Sequence, residues 1–358
     1  MLSTCLTSPE RQRFAAEHPD VFFLEAGDCA GLGAYLRTLG VLGPDEPVQR
    51  AEAAGAGNMN CTLRVVSGRS SWILKQARPW VARYPQFAAP WDRALRELEF
   101  YRLVSGVPAV ARQMPRLITS DPAARLLVLE DVGAGADLGG IYHGGSLTEP
   151  MVDTLASYLG ALHGGLRGQV PPGGFANREM RALNHTHMFR LPLEPDNGLD
   201  LESLLPGLRA AAEPLLADVG YRDTVRHLGK DVYLADGDCL LHGDFFPGSV
   251  LATPDGPKVI DPEFAFFGRP EVDVGVFVAH LLLGRQPPAL IFRFLDRYPR
   301  LSGFEDTVAL QLAGVEVMRR LIGYAQLPLG YGLEARRALL ELSRTLVLHP
   351  DRKLLSSP

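Results

Sequence analysis

The sequence lacks the features that mark disulfide-rich secreted proteins, zinc proteins and membrane proteins. Its four cysteines are scattered without a C-x-x-C pair, so we expect neither a disulfide framework nor a zinc site. No apolar run approaches the about 18 uninterrupted residues of a membrane helix. The opening stretch MLSTCLTSPERQRF becomes charged too early for a signal peptide. These absences lead us to expect a cytoplasmic protein with no membrane partner.

An excess of positive charge is also absent. The formal net charge of −5 gives no electrostatic reason to expect nucleic acid or an anionic membrane as a partner. The 46% apolar and 22% charged residues are an ordinary globular composition, and 358 residues are too many for one small core. We therefore expect two lobes that act on a small molecule.

Residues 1–132 predict an amino-terminal lobe built on a small antiparallel sheet. The segments CTLRVV and SSWILKQ are rich in β-branched residues and are separated by a short turn, as in a hairpin, and ARLLVLEDV adds a buried strand. Between them, APWDRALRELEFYRLVSG has near-helical apolar spacing and ends at Gly106. An earlier segment, AGLGAYLRTLGVLG, is expected to form a helix outside the sheet.

Residues 133–358 predict a larger, mainly helical lobe that begins at the glycine-rich hinge 133–140. Its first helix is expected to start at a capping box formed by Ser146 and Glu149 and to end at Gly164 and Gly165. A loop-rich insert at 169–197 that could line a pocket, two short strands within 240–268 and several helical patterns follow. The predicted fold class is α+β, with a small antiparallel-sheet lobe and a larger helical lobe.

Two acidic clusters within LLHGDFFPGSVLATPDGPKVIDPEFAFFG (240–268) carry the strongest chemical signal. A carboxylate on a tight loop, here Asp244, can act as a general base on a hydroxyl group, and the hydroxyl of Ser249 can bind a metal. If the second cluster is extended, Asp261 and Glu263 share one side and both reach a hard cation such as Mg²⁺. Both aspartates also suit ordinary turns beside glycine and proline, which is the alternative interpretation.

These motifs resemble the catalytic and metal-binding loops of the aminoglycoside-phosphotransferase branch of the protein-kinase-like fold. Within that branch, His-Gly-Asp, then Gly-Ser with Ser249 in place of the commoner Asn, then Asp-Pro-Glu-Phe-Ala-Phe, is similar to the methylthioribose kinases. The resemblance spans about residues 50 to 330 and implies ATP and Mg²⁺ as cofactors. Phe245-Phe246-Pro247 departs from the family, which has the more polar Leu-His-Thr there.

A kinase needs a cation on a central strand to hold the phosphates of ATP, and Lys75 in WILKQARPW suits this role. The family carries a similar Ile-Lys-Gln-Ala, while a lysine that protects an edge strand is the alternative. The following helix should supply an acid to orient the lysine, either Glu97 or Glu99. The family's Asp-Arg-Ala-x-x-Glu register selects Glu97, against the alternative of a solvated glutamate.

The stretch GAGNMN lies where a phosphate-covering loop is expected. Gly55, Gly57, Asn58 and Asn60 permit close approach of the backbone to a ligand, although only two glycines of a G-x-G-x-x-G are present. The family has a similar Gly-Asn-x-Asn here, which implies that Asn58, with Asn60, contacts the nucleotide.

Glu130, Asp131 and Val132 end the last strand of the first lobe. They resemble the linker whose backbone meets the adenine of ATP. Ordinary charges on a loop are the alternative interpretation of the two carboxylates.

Arg319 and Arg320 interrupt an apolar helix in GVEVMRRLIGYAQ. Adjacent positions on a helix point about 100° apart, so at most one of them need face a site. A solvated or salt-bridged pair is the alternative, but the family's similar Met-Ile-Arg-Arg segment implies a role in binding the sugar. Asp273 is expected to cap a helix and brace the catalytic loop, and His280 is interpreted as a core or surface residue.

The resulting hypothesis is transfer of the γ-phosphoryl group of ATP to a sugar hydroxyl, with Asp244 as the base. The resemblance implies S-methyl-5-thioribose as the substrate, phosphorylated at its anomeric hydroxyl in methionine salvage, and allows for a homodimer. One alternative is a phosphotransferase for another small alcohol, such as an aminoglycoside, a nucleoside or a secondary-metabolite sugar. Another is a catalytically silent, kinase-like binding protein.

Overall fold

The computed structural model of the chain describes residues 9–55, 57, 59–68, 70–133 and 135–356. These residues form two compact units. The first contains the residues up to Arg102 together with Pro115–Gly133, and the second contains Leu103–Met114 and the residues from Gly135 onward. This division differs from the predicted boundary at 132/133, because residues 103–114 belong to the second unit although they come earlier in the chain. That segment belongs to the second unit because, for example, the N–H of Val259 donates to the carbonyl of Gln113 at 2.7 Å.

A five-stranded antiparallel sheet in the order β1-β2-β3-β7-β6 organises the first unit. The strands of this unit are β1 (Arg50–Ala53), β2 (Cys61–Ser67), β3 (Ser70–Gln76), β4 (Trp80–Val81), β5 (Tyr84–Ala88), β6 (Leu117–Asp121) and β7 (Leu126–Glu130), with β4 and β5 forming a separate hairpin. Alternate residues such as Leu63, Leu74 and Val128 point to one buried face. The predicted β2–β3 hairpin is confirmed, with Leu63 opposite Leu74.

Three helices accompany this sheet, namely α1 (Pro9–Glu17), α2 (Cys29–Thr38) and α3 (Arg93–Val104), and the last of them runs across the division between the units. The carboxylate of Asp28 caps α2 by accepting the N–H of Gly31 at 2.9 Å. Leu32 and Leu36 of α2 pack into the same core as the buried face of the sheet. The prediction of an early helix outside the sheet is thereby confirmed.

The second unit is mainly helical. Its helices are α4 (Pro108–Ala111), α5 (Glu149–Gly165), α6 (Arg178–His185), α7 (Leu201–Leu204), α8 (Leu208–Leu216), α9 (Val219–His227), α10 (Glu271–Leu283), α11 (Pro288–Arg297), α12 (Asp306–Ile322) and α13 (Leu333–Leu348). Every residue of α10 is buried, as its almost wholly apolar sequence requires. No helix in the described ranges is long and apolar enough to cross a membrane.

Two local predictions for this unit need correction. Helix α5 is capped by Thr148, whose hydroxyl accepts the N–H of Met151 at 3.3 Å, whereas the hydroxyl of Ser146 donates to a backbone carbonyl. The stretch 169–197, predicted to be rich in loops, contains α6 and a π-helical segment, Thr186–Arg190. The expected pocket is present there as a cavity of about 360 Å³ lined in part by His185 and Phe189.

Four short strands frame the stretch that carries the acidic motifs. They are β8 (Cys239–Leu241), β9 (Val250–Thr253), β10 (Gly256–Val259) and β11 (Phe266–Gly268). Strand β8 pairs with β11 and β9 pairs with β10, both antiparallel, so one pair is nested within the other along the chain. The loop after β8 and the loop after β10 are therefore held at neighbouring positions.

Candidate functional site

The catalytic loop predicted around Asp244 follows strand β8 directly. The backbone N–H groups of His242 and Gly243 both donate to the carboxylate of Asp273, at 2.7 and 2.9 Å. That carboxylate is fully buried and also accepts from His163 at 3.1 Å. Burial alone would raise the pKa of Asp273, but the hydrogen bonds from His163 and the loop, and the charge of these groups, lower it. Asp273 thus fixes the backbone immediately before Asp244.

The bracing role predicted for Asp273 is present, whereas the capping role is not. Asp273 lies in the first turn of α10, and the N-cap position is occupied by Pro270. The carboxylate of Asp273 accepts from the catalytic loop, so it serves a neighbouring segment of the chain.

The carboxylate of Asp244 is partly accessible, with 22% of its side chain exposed. Burial raises the pKa of this carboxyl group, while the positive charges of Arg320 and Arg319 act in the opposite direction. The nearest guanidinium nitrogen of Arg320 lies 3.8 Å from Oδ1 of Asp244, beyond hydrogen-bonding distance. Asp244 therefore lies next to a cation without being hydrogen-bonded to it.

The second acidic cluster has a different conformation from the one predicted. Asp261 has a left-handed backbone, with φ of 67°, and Pro262–Phe264 form a single 3₁₀ turn. The prediction that Asp261 and Glu263 share one side of an extended strand is therefore wrong. The side-chain amide of Asn177 donates to the backbone carbonyls of Glu263 and Ala265, at 2.8 and 2.9 Å, and holds this turn in place. Strained aspartates of this kind are concentrated at functional sites.

Ser249 joins the two acidic loops. Its hydroxyl donates to the backbone carbonyl of Asp244 at 3.0 Å, and its carbonyl accepts the N–H of Ile260 at 2.9 Å. His242 adds a third link, because its Nε2 lies 3.0 Å from the carbonyl of Ile260 and must carry the proton of this hydrogen bond. These three contacts fix the loops that carry Asp244 and Asp261 to each other.

Arg319 and Arg320 converge on one buried acid that was not predicted, Glu316. Arg320 donates from Nε to Oε1 of Glu316 at 2.6 Å, and Arg319 donates to both carboxylate oxygens, at 3.0 and 3.2 Å. All three side chains are buried, so the arginines are not solvated, but the salt-bridged pair that was the other form of the alternative is present. Burial alone would raise the pKa of Glu316, yet the two guanidinium groups and His280 hold it well below its ordinary value. The spacing of three and four residues along α12 is a signal that could have revealed Glu316.

His280 and Phe246 complete the surroundings of the arginine pair. His280 is fully buried, and its Nε2 lies 3.1 Å from Glu316 while its Nδ1 lies 2.5 Å from the hydroxyl of Tyr142. The guanidinium of Arg320 lies 4.9 Å from the centre of the Phe246 ring, a cation–π arrangement. Phe245, in contrast, is a core residue that stacks on Tyr158. Of the two phenylalanines after Asp244, only Phe246 therefore flanks the arginine beside it.

In the first unit, Lys75 and Glu97 form an ion pair. Lys75 lies on β3, the middle strand of the sheet, so the alternative of an edge-strand lysine is wrong. Its Nζ lies 2.5 Å from the carboxylate of Glu97 on α3, and both side chains are almost fully buried. Glu99 pairs instead with Arg96 on the same helix. The structure therefore brings together the lysine and the acid that the family register selected.

The glycine-rich stretch is anchored by a residue that was not predicted. Asn58 lies outside the described residues, and Asn60 is buried, with its side-chain oxygen accepting from Nε of Arg93 at 3.0 Å. Arg93 is 1% exposed and its other guanidinium nitrogens donate to backbone carbonyls, including those of Met59 and Arg78, both at 2.8 Å. The arginine in the family's Asp-Arg register was the available signal. Asn60 and the end of the loop are thus tied to the start of α3.

The segment after β7 is held by two arginines. Arg64 donates twice to the carboxylate of Asp131, at 2.8 and 2.9 Å. Burial alone would raise the pKa of that carboxyl group, but the hydrogen bonds and charge of Arg64, together with other hydrogen bonds, lower it. Arg116 donates its backbone N–H to the carboxylate of Glu130 at 3.0 Å. The carboxylates of this segment therefore fix its shape, and Val132 follows them with a half-buried side chain.

Comparison with known proteins gives consistent matches. A protein-family model described as the phosphotransferase enzyme family matches residues 50–306. The methylthioribose kinase of Exiguobacterium sibiricum is 27% identical over 336 residues, which cover 81% of this chain and 83% of that protein.

Solved structures show the same architecture. The choline kinase LicA of Streptococcus pneumoniae, in complex with AMP, matches with a TM-score of 0.53 at 14% identity, over 91% of this chain and 100% of that chain. A spectinomycin phosphotransferase in complex with ADP and spectinomycin matches with a TM-score of 0.52 at 16% identity, over 92% of this chain and 99% of that chain. At these identities the likeness shows the fold alone, which is the predicted kinase-like α+β fold.

Proposed function

The chain belongs to the phosphotransferase enzyme family, and from this premise we propose that it phosphorylates S-methyl-5-thioribose at the anomeric hydroxyl. The membership confirms the family resemblance seen in the sequence. It makes the protein an ATP-dependent phosphotransferase, a small-molecule kinase with an alcohol group as the acceptor. The identity of the acceptor, the metal and the role of each residue are the proposed parts.

The residues of the first unit are proposed to bind the nucleotide. Lys75, oriented by Glu97, holds the phosphates. A buried cation on a rigid central strand is already in position to stabilise phosphate charge, so the protein need not reorganise around it. Asn58 and Asn60 belong to the loop that covers the phosphates. The backbone from Glu130 to Val132 meets the adenine, supported by the arginines that fix its shape.

Ser249 and Asp261 are proposed to hold Mg²⁺, with Glu263 as a further ligand. The hydroxyl proton of Ser249 is used by the carbonyl of Asp244, so its oxygen keeps lone pairs for a cation. In the part of the chain that the structure describes, no group of three or more acidic, histidine or cysteine side chains could hold a metal. Mg²⁺ usually binds through one or two carboxylates together with the phosphates of a substrate, so it would need only part of its ligands from the chain. The bound ion would neutralise phosphate charge.

Asp244 is proposed to be the general base. Its carboxylate accepts the proton of the acceptor hydroxyl while the hydroxyl oxygen bonds to the γ-phosphorus, and the bond from that phosphorus to ADP breaks. The brace from Asp273 keeps the backbone before Asp244 in place during this step. The partial exposure of Asp244 leaves room for the acceptor.

The arginine pair beside Asp244 carries the argument about the acceptor. Arg319 and Arg320 share the buried Glu316, and Arg320 reaches within 3.8 Å of the base. The guanidinium of Arg320 beside the base offers N–H donors, which suit the hydroxyl oxygens of a neutral sugar and cannot accept a hydrogen bond from an ammonium group of an aminoglycoside. This observation and the methylthioribose kinase relatives support the thiosugar over an aminoglycoside.

The test is ADP release by the purified chain with ATP and Mg²⁺ against a panel of acceptors. The panel contains S-methyl-5-thioribose, ribose, adenosine and kanamycin, and we expect the thiosugar to give the highest kcat/KM. Asp244→Asn should lower kcat by about 10²-fold or more. The matched control, Asp255→Asn on the exposed turn between β9 and β10, should retain the activity of the wild type.

Each other result identifies an alternative. Preferred turnover of kanamycin would contradict the proposed acceptor, and preferred turnover of ribose or adenosine would assign another small alcohol. Nucleotide binding without turnover of any panel member would instead support a catalytically silent binding protein.

A further inference from the structure

Two carboxylates lie within reach of one guanidinium group in the second unit. Nε of Arg320 donates to Glu316 at 2.6 Å, whereas its terminal nitrogen remains 3.8 Å from Asp244. The guanidinium is also held by the ring of Phe246 at 4.9 Å and by the backbone carbonyl of Ala325 at 3.4 Å. Since a carboxylate and a guanidinium readily form two parallel hydrogen bonds, Asp244 would capture Arg320 if the other contacts were lost.

From this geometry we propose that Glu316 is a positioning residue that holds Arg320 away from the catalytic base. The base must keep an oxygen available for the acceptor hydroxyl, and a bidentate pair with Arg320 would occupy it. Glu316 binds the same guanidinium at its Nε edge and so leaves Arg320 near Asp244 without pairing with it. The inference rests on the proposed role of Asp244. It adds a second residue, Glu316, which affects catalysis through the position of Arg320.

A chain of hydrogen bonds fixes Glu316 in turn. An ionised carboxylate only accepts, so Nε2 of His280 carries the proton that it donates to Glu316. In the neutral ring Nδ1 then accepts from the hydroxyl of Tyr142, and burial, with the positive charge of the arginines, lowers the pKa of His280 to about 4. The charges of Asp244 and Glu316 balance those of Arg319 and Arg320. The cluster is therefore neutral when each group has its ordinary charge.

A purely structural role for Glu316 predicts a different outcome. A carboxylate that only neutralises two buried arginines would affect stability, and its loss would leave kcat of the folded protein unchanged. If Glu316 holds Arg320 away from the base, the effect of losing Glu316 on kcat requires Arg320 to be present. A double-mutant cycle separates the two roles.

The experiment measures kcat and both KM values of Glu316→Gln, Arg320→Met and the double variant, with the panel sugar that the wild type phosphorylates fastest. We expect Glu316→Gln to lower kcat by about tenfold or more, with KM for ATP changed less than about twofold. The double variant should be no slower than Arg320→Met alone. Independent, multiplicative effects of the two substitutions, or an unchanged kcat in Glu316→Gln, would overturn the proposal.

Two controls keep the result interpretable. Glu271→Gln removes another buried carboxylate of this unit, one that pairs with Arg269, and should lower thermal stability without lowering kcat. If Glu316→Gln does not fold, Glu316→Asp retains the charge at a shorter reach and takes its place in the cycle, with the same non-additivity expected.

The proposed function and this inference fail in distinguishable ways. Full activity of Asp244→Asn would overturn the role of the base, and the inference with it. An inactive Asp244→Asn together with additive effects in the cycle would overturn the inference alone.

Discussion

Gly243 lies between His242 and the proposed base, and its replacement by alanine tests how closely the catalytic loop is packed. Its φ of +82° belongs to the left-handed region, which residues with a Cβ rarely adopt. A Cβ atom added there would lie 2.2 Å from the backbone carbonyl oxygen of Phe264, in the turn that follows Asp261. Backbone cannot rotate away as a flexible side chain can, so one of the two loops must move.

The matched substitution is Gly303→Ala. Gly303 has nearly the same backbone angle, φ of +84°, but a Cβ atom there meets nothing within 4 Å. It should therefore cost only the conformational strain, about 1 kcal/mol in the free energy of unfolding. Gly243→Ala adds the overlap with backbone, which raises the cost to about 2–4 kcal/mol. Relief of the overlap moves the loop by about 1 Å, and a displacement of this size costs about 10²-fold in kcat.

The assays are equilibrium unfolding in denaturant, followed by circular dichroism, and kcat for ADP release. We expect Gly303→Ala to keep the kcat of the wild type and Gly243→Ala to lose about 10²-fold. Equal losses of stability in both variants, with kcat unchanged in both, would refute the conclusion that the loop at Asp244 is fixed against the turn at Phe264.

Four further substitutions have expected outcomes. Lys75→Met should lower kcat/KM for ATP by about 10²-fold, because it removes a buried cation proposed to contact the phosphates, and Glu97→Gln should have a smaller effect in the same direction. Arg93→Met should raise KM for ATP several-fold and leave KM for the acceptor unchanged, since Arg93 ties Asn60 and the backbone of Met59, at the end of the glycine-rich stretch, to the start of α3. Asp273→Asn should lower the free energy of unfolding by about 3 kcal/mol at neutral pH. Because the folded-state pKa of Asp273 is lowered, its contribution is full above the unfolded-state pKa of about 3.9 and is lost as pH falls further, so variant and wild type should converge in acid.

The predictions for Lys75 and Arg93 each have a control of the same chemistry. Arg96→Met, at a half-buried position of α3 where Arg96 pairs with Glu99, should leave KM for ATP unchanged, and an equal increase in both arginine variants would contradict the anchoring role of Arg93. Lys230→Met at an exposed position should retain activity. A stability difference between Asp273→Asn and wild type that does not shrink as pH falls below about 3.9 would contradict the pKa argument.

The pairing of Lys75 with Glu97 could be predicted because it depends on local patterns. An apolar strand with one lysine, followed by a helix with a family register, leaves few candidates for each role. The sequence also placed Asp244 on a tight loop, since His-Gly-Asp follows a short apolar run and Gly243 permits the turn. In these cases the signal and the structure lie within a few residues of each other.

The remaining features depend on tertiary contacts that local patterns do not contain. Asp261 reads as the end of a strand, yet the hydrogen bonds of Asn177, more than 80 residues away, accompany a left-handed turn there. Glu316 sits in an apolar helix, where its spacing from Arg319 and Arg320 indicates the two ion pairs but gives no sign of the buried His280 that also contacts it. Capping by Thr148 rather than Ser146 is a shift of the kind that helix ends commonly show.

Helix α10 carries Asp273 in its first turn and His280 two turns later. The first turn of α10 therefore supports the loop that carries Asp244, and the turn that carries His280 supports Glu316. A helix rises about 1.5 Å per residue, so these seven steps set a spacing of about 10 Å that cannot vary while the helix is intact. Since α10 is buried on every side, the helix holds the loop of the proposed base and the cluster of Glu316 with its two arginines a constant distance apart.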